Sequence, residues 1–76
     1  MNGRRRAKLQ EVREQLSKVR DEIDSIREEE DEVRENMPEN LQYSERYEHS
    51  ENCSRAMEDA VSSIDGAISS IEEAIE

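Results

Sequence analysis

Large apolar residues recur along this chain at alternating three- and four-residue intervals, in two runs separated by a short polar stretch around Pro38. The first run is Leu9, Val12, Leu16, Val19, Ile23, Ile26, Val33 and Met37, and the second is Tyr43, Tyr47, Met57, Val61, Ile64, Ile68, Ile71 and Ile75. Sixteen of the eighteen large apolar residues lie on this seam, leaving only Met1 and Leu41 off it. An average spacing of about 3.5 residues is that of heptad a and d positions, which bury against a partner helix. With Leu9 at a, the a series continues through 16, 23, 30 and 37 and the d series through 12, 19, 26 and 33. Glu30 is the one violation.

The pattern predicts two helices, over about residues 4–36 and 44–76, joined by a hinge over 37–43. Asn2 is the candidate N-cap of the first and Ser44 of the second, where Glu45 meets the positive end of the helix dipole. Pro38 lacks a donor and disfavours the helical region for Met37, so the first helix should stop near Glu35 or Asn36. Two rods of equal length with a short connection should fold back on each other. The predicted class is all-α, a two-helix antiparallel coiled-coil hairpin forming one domain over residues 1–76.

If paired residue numbers sum to about 80, Leu9 meets Ile71, Leu16 meets Ile64, Ile23 meets Met57 and Val33 meets Tyr47. Glu30 then lies opposite Ser50, near Ser54, as a weakly packed polar layer close to the hinge. The same register sets Arg4, Arg5, Arg6 and Lys8 beside Glu72, Glu73 and Glu76.

The second helix carries an internal heptad repeat, from Arg55 to Val61, Ser62 to Ile68 and Ser69 to Ile75. Each unit brings an alanine beside the aliphatic seam, so Cys53, Ala60, Ala67 and Ala74 form a small-residue stripe. Gly66 sits on the opposite, solvent side. The predicted self-association face is therefore Ala60, Ile64, Ala67, Ile68, Ile71, Ala74 and Ile75. A chain of 76 residues buries little surface alone, and a homodimer forming a four-helix bundle is the expected remedy.

Charged residues make up 42% of the chain and the net charge is −10, but the charge is segregated. Residues 1–20 carry +5, residues 21–51 carry −10 and the remainder carries −5. An acidic balance argues against direct nucleic-acid binding, since phosphate affinity rests on Lys and Arg. No apolar run is long enough for a signal peptide or membrane span, and a single cysteine forms no internal disulfide, so the expected setting is cytoplasmic without membrane contact.

The acidic block Glu28, Glu29, Asp31, Glu32 and Glu35 is the candidate partner-binding surface, fitted to a protein with a basic patch. Its plainer explanation is a solvated helix face eased by pairs such as Arg27 with Asp31, Glu30 with Arg34 and Glu14 with Lys18. Tyr43 and Tyr47 are candidate anchors, with packing on Val33 and Met37 as the alternative role. The basic start, Arg4 to Lys8, lacks interleaved aromatics for base stacking and is expected to pair with the acidic C-terminus. His49 and Cys53, with Glu45 and Glu48, fall short of a zinc ligand set, and no nucleophile–base constellation or phosphate-binding glycine loop occurs. No enzyme activity and no cofactor are expected.

The stretch from Asn36 to Glu48, followed by an acidic Ala/Ile/Ser helix ending Ser69-Ser70-Ile71-Glu72-Glu73-Ala74-Ile75, resembles a group of small proteins encoded by phages, prophages and mobile elements of low-GC Gram-positive bacteria. The resemblance spans most of the chain and is most specific at the hinge. It implies a bacterial cytoplasm and brings no activity or functional residues with it. The resulting expectation is a non-enzymatic, self-associating interaction module that binds a host or phage protein through its acidic surface. Its rivals are a nucleic-acid mimic that inhibits a host defence or nucleic-acid enzyme, and a coiled-coil structural spacer.

Overall fold

A computed structural model describes all 76 residues as α1 (Gly3–Glu35), a single 3-10 turn (Glu39–Leu41) and α2 (Glu45–Ile75), with no strand. Both helix starts use the expected caps. The Asn2 side chain accepts from the Arg5 N–H at 2.9 Å, and the Ser44 hydroxyl accepts from the Tyr47 N–H at 3.2 Å. The observed ends fall within one residue of those predicted, because capping side chains and Pro38 mark them in the sequence itself.

The reversal is tight. The Asn36 backbone N–H still bonds the Glu32 carbonyl at 3.1 Å, and its side-chain amide donates to the same oxygen at 3.0 Å. Pro38 then runs extended (φ −58°, ψ 147°), and the Leu41 N–H bonds back to the Pro38 carbonyl at 2.9 Å. Ser44 closes the turn by donating its hydroxyl to the Leu41 carbonyl at 2.7 Å. Proline, which has no N–H to satisfy, thus sits where the chain needs only a carbonyl.

The helices pack antiparallel along nearly their whole length into a rod of 59 × 14 × 13 Å. Its radius of gyration, 17.4 Å, exceeds the roughly 11 Å of a compact chain of this length. Two helices side by side leave half of each surface to solvent, and only Val61, Ser50 and Ser54 are buried, at 8%, 4% and 4% exposure. No helix is long and apolar enough to cross a membrane.

Cross-helix bonds show the register. Arg6 with the Ile75 carbonyl sums to 81, close to the expected 80, Arg34 with Ser50 to 84, and Arg20 with Asp65 and Asp31 with Ser54 to 85.

Candidate functional site: interaction surfaces on the hairpin

The inward side of α1 differs from the heptad expectation. Half-buried positions are Arg6, Leu9, Arg13, Leu16, Arg20, Ile23, Arg27, Glu30, Arg34 and Met37, with Asp24 and Asp31 beside them. In heptad terms α1 faces α2 with its a and e positions, and every e position from 6 to 34 is arginine. The d residues are turned outward: Val12, Val19, Ile26 and Val33 are 40%, 44%, 54% and 55% exposed. Arginine can occupy a packed flank because its aliphatic stem covers apolar surface while the guanidinium finds polar partners at the edge.

Those partners form a connected layer in the hinge half. Arg34 Nη1 donates to Ser54 Oγ at 2.8 Å and to the Ser50 carbonyl at 3.2 Å, while its Nη2 donates to Asp31 Oδ1 at 2.8 Å. Ser54 in turn donates its hydroxyl to Asp31 Oδ1 at 2.6 Å. Arg27 bridges Asp31 and Asp24, the latter at 3.0 Å. Further along, Arg20 crosses to Asp65 at 3.1 Å and also contacts Asp21 and Asp24. At the open end, Arg6 Nε donates to the Ile75 carbonyl at 2.9 Å, satisfying an otherwise free carbonyl of the last turn of α2. No buried side-chain nitrogen or oxygen lacks a partner.

The electrostatics follow this geometry. The hydrogen bond from Ser54 holds the Asp31 carboxyl below the usual aspartate range; desolvation opposes it, and the Arg34 and Arg27 guanidinia add to the lowering. Asp65 raises the Arg20 guanidinium further above its ordinary value, with help from Asp21 and Asp24. Asp24, then Asp31, does the same for Arg27.

The expected polar layer near the hinge is present, but its members differ. Asp31 and Arg34 reach Ser50 and Ser54, whereas Glu30 is half-buried with no ion pair. The expected Arg27–Asp31 pair forms; Arg34 pairs with Asp31 instead of Glu30, and Glu14 forms no bridge to Lys18. The basic start meets the C-terminal end through Arg6 on the Ile75 carbonyl, and none of Arg4, Arg5, Arg6 or Lys8 forms a salt bridge with Glu72, Glu73 or Glu76.

The structure redraws two of the expected sites and one expected packing role. Asp31 leaves the candidate acidic surface, because Ser54, Arg34 and Arg27 draw it inward; Glu28, Glu29, Glu32 and Glu35 remain exposed on it. The proposed self-association face of α2 is divided: Ala60, Ile64, Ile68, Ile71 and Ile75 are half-buried under α1, and only Ala67 and Ala74 are open. Of the two tyrosines, Tyr47 is half-buried, while Tyr43 is 94% exposed and does not close the end of the hairpin.

A cleft of about 380 Å³ does form at that end, lined by Val33, Asn36, Met37, Pro38, Leu41, Ser44 and Arg46. His49 Nε2 lies 3.6 Å from Cys53 Sγ, and no three His, Cys, Asp or Glu side chains converge. Sequence reasoning placed Ser50 and Ser54 in the polar layer but missed Arg20, Arg34 and Asp65 as cross-helix ties. The available signal was arginine at 6, 13, 20, 27 and 34, a strict seven-residue recurrence beside the apolar seam. No family model, curated protein or solved structure matches the chain.

Proposed function

We propose that this chain is a non-enzymatic interaction module, encoded by a phage or mobile element, that self-associates and binds a basic-surfaced protein through the acidic ridge of its hinge half. One observation carries the reading. Within the hinge half of α1 both arginines, Arg27 and Arg34, turn toward the inward aspartates, so the local cations are consumed inside the hairpin. Glu28, Glu29, Glu32 and Glu35 are left outward, and the sole ion-pair contact among them is a 3.8 Å approach of Arg27 to Glu28. Unneutralised carboxylates on a rigid helix steer association with a positive partner and penalise a negative one.

Charge reversal tests the reading. The chain with Glu28→Lys and Glu35→Lys should keep its helicity by circular dichroism and lose the protein that the wild-type chain captures from its bacterial host. Equal capture by both chains defeats the acidic-ridge reading. If DNA or RNA competes with the chain for the captured protein, the ridge acts as a nucleic-acid mimic. If neither competes, the partner is of another kind.

A further inference from the structure

On the helices of this rod every exposed large aliphatic side chain belongs to α1, where Val12, Val19, Ile26 and Val33 form one line at seven-residue spacing. Exposure rises along the line from 40% at Val12 to 55% at Val33, and its hinge end leads into the cleft that Val33 also lines. We infer that a second copy of this chain docks antiparallel on this line, α1 against α1, around a two-fold axis near its middle. The inference rests on the self-association part of the proposed function and moves the interface from α2 to α1.

Two features single out this occupant and this direction. The first is area. The chain exposes 5843 Å², against about 4,800 Å² for a compact protein of its mass. The excess, roughly 1,000 Å², is the size of one partner's share of a stable interface, about 800 Å².

The second is charge. On and beside the line, at exposed positions, the first half of α1 carries Arg5 on the line and Arg4, Lys8 and Lys18 beside it, against Glu11, for +3. The second half carries Glu22, Glu29 and Glu32, for −3. An antiparallel copy sets each basic half on an acidic half, twice, whereas a parallel copy sets like on like. A face whose two ends are equal and opposite in charge is complementary to itself, as an isologous contact requires. Val12 then falls near Val33 of the second copy and Val19 near Ile26, so the four aliphatic residues close on the same line of the second copy.

Sedimentation equilibrium of the full chain should give twice the 8.9 kDa chain mass in the micromolar range. Ile26→Glu, at a position exposed in the single hairpin, should leave the helicity intact and raise the dimer dissociation constant about a hundredfold or more. Direction is read by spin-label distances in a Cys53→Ser background. Labels at Glu22→Cys should lie close together across the axis, and labels at Lys8→Cys on the order of 40 Å apart, from the 1.5 Å rise per residue.

A monomer throughout the micromolar range overturns the inference, as does a dimer unaffected by Ile26→Glu. Equal distances at the two label sites overturn the antiparallel arrangement. The α1–α1 contact takes Glu29 and Glu32 and leaves Glu28 and Glu35 of the ridge free, so these outcomes are separable from failure of the acidic-ridge reading, which is tested at Glu28 and Glu35.

Discussion

The two halves of the rod are held by different physics. Around Val61, toward the open end, aliphatic side chains of α2 lie against leucine, isoleucine and arginine stems of α1, a non-directional contact whose strength follows buried area. Near the hinge, Asp31, Arg34, Ser50 and Ser54 meet through bonds of defined length and angle. The difference bears on register. Because α2 repeats its aliphatics and its acids every seven residues, a slip of one heptad in the open half exchanges Val61 for Ile68, Met57 for Ile64 and the Arg20 partner Asp65 for Glu72, like for like. The polar layer does not repeat, and the same slip would leave Asp31 and Arg34 without their serines. Polar groups at core positions commonly specify register in this way while adding little net stability.

Removing the contact on which the open half depends should produce the largest effect. Val61 is the one buried apolar side chain, so Val61→Asp buries a carboxylate with no partner and should cost on the order of 3 kcal/mol or more, enough to unfold a hairpin this small. Thermal melting followed by circular dichroism measures it. A Val61→Asp chain that melts at the wild-type temperature would mean that the aliphatic half does not hold the rod together.

The hinge half should respond less in stability and more in order. Ser54→Ala removes one donor to Asp31 and one acceptor for Arg34, at a cost of about 1–2 kcal/mol. Replacing the layer as a set, with Asp31→Leu, Arg34→Leu and Ser54→Ala together, should retain helix content while multiplying the amide resonances of α2 through alternative registers. A single sharp set of resonances from that variant would show that the hinge loop alone fixes the register.

Outside both halves, Gly66→Ala should stabilise the rod by up to about 1 kcal/mol. The added methyl meets nothing within 4 Å, and the substitution removes the helix penalty of glycine. Chemical denaturation reads the change as a higher midpoint with unaltered slope.

How much of this was legible in the sequence divides along the same line. The helix ends were readable because Asn2, Ser44 and Pro38 act locally, through bonds and steric limits spanning three or four residues. The seam on α2 was readable because its a and d positions face α1 as the heptad implies. The orientation of α1 was not. Its a residues serve equally well in an a/d face and in an a/e face, since they belong to both, and the choice falls to a partner helix that α1 meets only in three dimensions. Arg20 and Arg34 tip it by finding Asp65 and Ser54 across the interface, contacts separated by 45 and 20 positions in the chain. The acidic ridge shows the complementary case: its glutamates are readable as a block, but the inward turn of Asp31 depends on Ser54 and lies beyond any local pattern.

Acid titration gives the smallest and most specific test of the contrast, because it acts on Asp31 without altering the aliphatic half. The Ser54 hydroxyl, the Arg34 guanidinium and the Arg27 guanidinium, against an opposing desolvation, hold the carboxyl lower in the folded chain than in the unfolded one. A group with a depressed folded value contributes stability that is complete above its unfolded value, about pH 4, and that disappears as pH falls through the folded value. Wild-type stability measured from pH 5 downward therefore includes a loss assignable to Asp31, superimposed on the relief of repulsion as the other carboxylates protonate. Subtracting the profile of an Asp31→Asn chain removes that shared background, since both chains carry the same remaining acids. The difference should be constant above about pH 5 and shrink steadily below pH 4. In a Ser54→Ala background the same subtraction should give a smaller plateau whose loss begins at the same pH and is complete at a higher one, because the principal cause of the depression is gone. A difference that stays flat to the lowest pH would mean that the carboxylate of Asp31 contributes nothing in its charged form, and the contrast between the two halves would lose its electrostatic part.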